Sequence, residues 1–205
     1  MRRRRAERFC ACGALARPAR GRSTRTLGHM RVVPALLCVL PLLGCSPSYS
    51  DLEDAFAAKN MVTTPALEQR SMVITSQKHR GAESYRDLVT IRLSVDSVDI
   101  ENSTPFAKAI KVPTEEIAGC SMTCFGVDDQ HINLLIPRTG SDLMIPRSEA
   151  LLDWCWSTRR PMISGGARRN WQYHGVALPK AETFADPLNS RELYDAQVTQ
   201  SCLGF

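Results

Sequence analysis

Residues 88–100 read LVTIRLSVDSVDI, and the spacing within this stretch decides the fold class. Val89, Ile91, Leu93 and Val95 alternate with Thr90, Arg92, Ser94 and Asp96. One side of the extended chain is therefore apolar and the other polar, the period of a half-buried strand. Asp96-Ser97 reads as a turn, where both residue types supply local side-chain hydrogen bonds to the backbone. Ser97, Val98, Asp99 and Ile100 then start the returning strand.

Working outward, short apolar runs bounded by Gly, Pro, Asn or Asp predict further strands at 72–75, 109–112, 121–125, 132–136 and 143–145. Short strands joined by tight turns imply an antiparallel sheet. The best helix is predicted over 149–159. Ser148 caps it, Glu149 suits the positive end of the helix dipole, Arg159 and Arg160 suit the negative end, and Pro161 stops it. Leu151, Leu152 and Cys155, with Trp156 at the margin, form the stripe expected to face the sheet. An N-terminal helix is predicted over 51–59, where Ser50 and Glu53 have capping-box spacing, and a short second one opens at Thr64-Pro65. From Met162 onward the periodicity is lost. The stretch SGGARRNWQYHGVALPK (164–180) is expected to be an irregular C-terminal tail, with a last short helix over 191–197. Its Arg168, Arg169, Trp171 and Tyr173 read either as a surface loop held down by its aromatics or as a cationic patch for lipid headgroups or peptidoglycan.

The order of strands followed by one amphipathic helix, together with the phrases IRLSVDSVDI, IKVPTEEI, INLLI and IPRSEALLDW, resembles bacterial PH-like domains over residues 88–160. The resemblance implies an α+β fold in which a bent antiparallel sheet or partly open barrel is closed by the helix. Thr114 follows Pro113 where similar domains carry an aromatic residue.

A different stretch bears on location. Val32 to Leu43 is a run of 12 apolar residues counting Pro34 and Pro41, too short for the roughly 20 of a membrane-spanning helix and of the length of a secretory segment. Leu42-Leu43-Gly44-Cys45 closes it and resembles the lipobox of bacterial lipoproteins. The resemblance implies cleavage between Gly44 and Cys45, with acyl chains on the Cys45 thiol and on the new amino group. Ser46, rather than an aspartate, follows the lipidated position, similar to lipoproteins sent to the outer membrane. The expected organisation is a basic extension at 1–29, upstream of a true start at Met30, a signal segment at 30–44, a lipidated tether at 45–50 and a single α+β domain at 51–205.

Charge follows from that division. The chain is +5, but its first 44 residues hold ten arginines and one glutamate, leaving 16 of the 26 basic and 20 of the 21 acidic groups, near −4. A basic balance would point to nucleic acid; without the leader that argument is gone, and no nucleic-acid partner is expected. The expected partners are the membrane, through the lipid, and envelope proteins or peptidoglycan, at the periplasmic face of the outer membrane.

With Cys45 assigned to lipid, Cys120, Cys124, Cys155 and Cys202 remain. An even number in an oxidising compartment reads as a two-disulfide framework. If 121–125 is extended, Cys120 and Cys124 lie about 13 Å apart, beyond the ~7 Å reach of a bridge. They point to the same face, so each is expected to pair with Cys155 or Cys202. The alternative is copper or another soft metal: Cys120, Met122, Cys124 and His131 offer thiolates, a thioether and an imidazole. This set resembles the dicopper loop of cytochrome oxidase subunit II, although His131 follows Cys124 by seven positions instead of four. His79, His131 and His174 otherwise read as surface histidines, and Asp128 and Asp129 as turn residues. The chain contains no Gly-x-Ser-x-Gly, His-Glu-x-x-His, Walker or dinucleotide pattern. The expected role is structural or interactional, with no catalytic residue and no cofactor.

Overall fold

In a computed structural model of the protein, the 88–100 stretch forms the predicted hairpin: β3 (Val89–Leu93) pairs antiparallel with β4 (Ser97–Asn102), Ile91 opposite Ile100. Val95 departs from the expected pattern. It sits at the hairpin tip, 77 % exposed, because Ser94 and Ser97 close the turn around Val95 and Asp96 through backbone and hydroxyl hydrogen bonds. β5 (Ile110–Pro113) joins β4 to complete a three-stranded sheet. The structure describes residues 47–67, 70–79, 81–125, 129–179 and 190–203. The extension at 1–29, the signal segment at 30–44, Cys45 and Asp128 lie outside the described residues.

The larger sheet has six strands in the order β2-β1-β8-β7-β6-β9. They are β1 (Met72–Ser76), β2 (Ala82–Tyr85), β6 (Gly119–Cys124), β7 (Gln130–Ile136), β8 (Ser141–Pro146) and β9 (Met162–Ile163). Four were expected or overlap expected runs; β2 and β9 were not. The sheet is mixed rather than antiparallel because β9 runs parallel to β6, Cys120 opposite Met162. Gly119 permits that approach: a Cβ there would lie 2.8 Å from the Pro161 carbonyl oxygen and 2.6 Å from the Ile163 side chain. The sheets do not close into a barrel.

One core lies between the sheets. Ile74, Met122, Ile132, Leu134, Leu143 and Ile145 of the larger sheet meet Ile91, Val98, Ile100, Ile110 and Val112 of the smaller, all at most 1 % exposed. The edges of the small sheet are covered rather than bare. The chain after α1 (Pro47–Phe56) bridges β5 at Ala57, and the following segment bridges β3 at Ala66. Such bridges occupy part of each edge ladder that another chain could otherwise join. The covering segment also explains why Asp99 is fully buried on a face where alternation would place it in water. Its carboxylate accepts the Val62 N–H at 2.7 Å and the Ser97 hydroxyl at 2.7 Å.

Helix α2 (Glu149–Ser157) starts where predicted, with the Ser148 hydroxyl accepting the Leu151 N–H, and buries Leu151, Leu152, Trp154 and Cys155. Trp154, not Trp156, is the buried tryptophan, and its indole N–H donates to the Ser94 carbonyl at 2.6 Å. The helix thereby closes the hairpin end of the core. α4 (Arg191–Leu203) extends six residues beyond the expected end at 197 and adds Tyr194 and Val198 to the core. Three expectations at the N-terminal side are corrected. α1 begins at Pro47, inside the predicted tether, because Ser48, Tyr49 and Leu52 are buried from its first turn onward. Ser50 is therefore helical rather than a cap. No helix forms at Thr64-Pro65, where the chain instead runs extended along β3.

Candidate functional site

Strands β6, β7 and β8 alternate, and the face turned away from the core carries polar residues: Ser121, Thr123, His131, Asn133 and Asp142. Polar side chains on an outer face need no explanation, but three of these are fully buried: Ser121, Asn133 and Asp142. They are covered by α3 (Gly165–His174), which occupies the stretch expected to be irregular. The helix forms because Ser164 caps it, accepting the Ala167 N–H, and Gly175 ends it in the left-handed conformation. Two adjacent glycines at its start and a low apolar content hide this helix from periodicity; the serine cap and glycine stop are the signals that could have found it.

Beneath α3 the hydrogen bonds run in one chain. The Thr123 hydroxyl donates to Asn133 Oδ1 (2.8 Å), Asn133 Nδ2 donates to Asp142 Oδ1 (2.8 Å), and Arg168 of α3 donates to Asp142 Oδ2 (2.5 Å). Asp142 has no exposed surface and Arg168 is 15 % exposed. Burial raises the Asp142 pKa, opposed by the Arg168 charge and by hydrogen bonds from Asn133, Arg168 and Thr75. A small second core of Leu135, Ile163 and Trp171 sits beside this network, and Gln77 donates to the Trp171 carbonyl. The arrangement fixes α3 on the sheet. With no water-facing carboxylate edge, Asp142 has the surroundings of a structural ion pair rather than of a general base. Of the four residues read either as a surface loop or as a cationic patch, Arg168 pairs with Asp142 and Trp171 is buried, while Arg169 and Tyr173 are exposed.

Next to the covered region the outer face opens into a groove of about 310 Å³. Val73, Ser84, Met144 and Pro146 line it, with Arg86 and His131 at its margins. The His131 ring lies edge-on to Phe125, centroids 5.8 Å apart, and its Nδ1 is 3.4 Å from Asp129 Oδ1. The groove offers a mixed apolar and polar surface on the outer face of the sheet.

Cys120, Cys124 and Cys155 lie on the opposite, core-facing side. Cys120 on β6 is bonded to Cys155 on α2, with Cα atoms 6.4 Å apart, and both residues are fully buried. Cys124 is also disulfide-bonded. Cys202 falls in α4. Met122 is buried in the core among the strands of both sheets, whereas His131 belongs to the outer face. The four residues of the soft-metal alternative are therefore not brought together. Two of its sulfurs are in disulfides, and the imidazole lies across the sheet from the thioether. Among the described residues no group of three or more His, Cys, Asp and Glu side chains is arranged to hold a metal ion, and no helix is long and apolar enough to cross a membrane. Compared with known proteins, the chain matches no protein-family model and no curated protein.

Proposed function

We propose that this protein is held at the cell envelope by acyl chains on Cys45 and that its α+β domain has a structural or interaction role there. The disulfide between Cys120 and Cys155 is the observation that carries the reading. Such bonds persist in oxidising compartments and are rare in the cytoplasm, and a secretory segment ending in Leu-Leu-Gly-Cys is the route to such a compartment. The position of α1 supports it too, since its first residue, Pro47, lies two residues after the lipidated position. Two or three acyl chains, at roughly 0.8 kcal/mol per buried methylene, would give stable anchoring where a single chain gives only reversible binding. Intact mass of the protein extracted from the membrane fraction tests this: it should begin at Cys45 and carry fatty-acid mass, and Cys45→Ser should leave unprocessed precursor. A mature protein starting elsewhere, without added lipid, rules the anchor out.

We further read the fold as PH-like. Between β2 and β3 lie only Arg86, Asp87 and Leu88, and Asp87 has φ 54, a left-handed corner that carries the chain from the larger sheet into the smaller. Taken as one bent strand, β2 and β3 leave seven strands before α2. β1 pairs with both the first bend and β8, which is the return expected of a partly open barrel capped by a helix. An experimental structure in which β1 failed to pair with β8 would remove this likeness.

A further inference from the structure

We propose that the turn at 104–107 is a membrane wedge: the Phe106 ring enters the interface of the bilayer that holds the Cys45 acyl chains and sets the orientation of the domain against it. The inference rests on the lipid-anchored reading above. Phe106 is 100 % exposed and has φ 69. The Ala107 N–H donates to the Thr104 carbonyl, with Pro105 second and the positive φ third, the pattern of a type II turn. That third position favours Gly or Asn, and a bulky side chain there is strained. Phenylalanine is also among the residues most often buried. Local conformation and solvation both disfavour this residue in the isolated domain, and the fold draws no packing from it.

The surroundings of the turn place it. On one side, the Lys108 N–H donates to Glu53 Oε1 (2.6 Å) and the Lys108 carbonyl accepts the Tyr49 hydroxyl (3.0 Å). On the other, the Leu88 carbonyl accepts both the N–H and the hydroxyl of Ser103. The turn is thus tied to the first two turns of α1. Cys45 precedes Pro47 by two residues, a reach of at most ~7 Å, so acyl chains on Cys45 bring the start of α1 to the membrane surface and the attached turn with it. Leu88, 39 % exposed, adds apolar surface at the base of the turn, and the exposed Lys108 can lie among headgroups. With residues 45–205 near −4, broad attraction to anionic lipid is absent. Among the described residues Phe106 is the most exposed large apolar side chain, and insertion of its ring would orient a tethered body.

Phe106→Trp in the full lipidated protein, reconstituted in vesicles of phosphatidylethanolamine and phosphatidylglycerol, tests the proposal. The spectrum of the unsubstituted protein removes the contribution of Trp154, Trp156 and Trp171. The added indole should emit as in an apolar medium and be quenched about two-fold by brominated acyl chains, as for a ring ~5–10 Å into the headgroup and acyl boundary. Water-like, unquenched emission from protein that still floats with the vesicles overturns the wedge and leaves the anchor standing. A shift that follows protein density and ignores bromination assigns the ring to a second copy and overturns it as well. Protein that does not float at all overturns the anchor, and the wedge with it. Hydrogen exchange on the unsubstituted protein gives an independent measure: amides 103–108 should exchange more slowly on vesicles than in detergent, a difference abolished by Phe106→Asn. Equal exchange in both settings sinks the proposal.

Discussion

Asp142 shows how much one side chain can decide. A buried carboxylate is costly unless it is paired and hydrogen-bonded, and here Asn133 and Arg168 both donate to it. Removing it leaves the Arg168 charge beneath α3 without its partner. Asp142→Ala should lower unfolding free energy by about 3 kcal/mol or more, read as a fall in the urea midpoint. A loss below ~1 kcal/mol would mean that Arg168 turns out to water and that the pair does not hold the helix. Nothing in the sequence around Ser141, Asp142 and Leu143 distinguishes this aspartate from a solvated one. Its partner lies 26 positions away, and only the docking of α3 brings the two together. Asp99 makes the same point, since the segment that buries it, around Val62, is 37 positions distant.

Among the elements, β6 carries the most connections: β7 on one edge, β9 on the other, α2 through Cys120, and α4 packed against it. The Cys120–Cys155 bridge closes a loop of sequence separation 35. In the chain-entropy account such a loop is worth about 4 kcal/mol, a large part of the stability of a small domain. Replacing both residues by alanine should lower the thermal midpoint by roughly 8–16 °C, taking ~2–4 °C per kcal/mol for a domain of about this size. With Cys120 joined to Cys155 and Cys124 also in a disulfide, the two-bridge expectation predicts Cys202 as the partner of Cys124. A non-reduced digest of the mature protein should yield the Cys120–Cys155 and Cys124–Cys202 peptides, and recovery of Cys124 linked to any other residue would refute the second assignment. The elements legible in the sequence were those with local signals, such as the Ser148 cap, the period of two in β3 and the bounded apolar run of β7. β2 was missed because AESY has no apolar alternation, and β9 because two residues have no period at all.

At the scale of the whole molecule, Tyr49 and Tyr194 report on the integrity of the core. Tyr49 ties α1 to the turn before β5, and Tyr194 brings α4 under Trp156, ring centroids 5.3 Å apart. Burial is the largest cause raising both phenol pKa values well above their ordinary value near 10. Below pH 10 both are protonated whether the chain is folded or not, and stability is unaffected. Above it the unfolded chain loses the two protons while the folded one keeps them, so stability falls as pH rises, by about 1.4 kcal/mol per pH unit for each tyrosine. Denaturation curves between pH 9 and 11 should show stability level at first and then falling toward this slope, and Tyr194→Phe should reduce the fall by about half. An unchanged slope in that variant would place the alkaline sensitivity elsewhere.

What the sequence determined by itself was whatever depends on neighbours in the chain. The hairpin at 88–100 follows from alternation, the start of α2 from a serine hydroxyl three residues from the N–H it accepts, and the separation of Cys120 from Cys124 from the rise of an extended strand. Tertiary structure alone decided which distant groups meet. The corner at Asp87, the parallel pairing of β9 beside Gly119, the choice of Cys155 as the partner of Cys120 and the burial of Arg168 on Asp142 all join segments that share no local pattern. Each needs two surfaces to be folded before the contact exists. Periodicity and capping are properties of a short run of backbone, whereas these contacts are properties of the space between elements, and that space is set only when the two sheets and the helices on them close on one core.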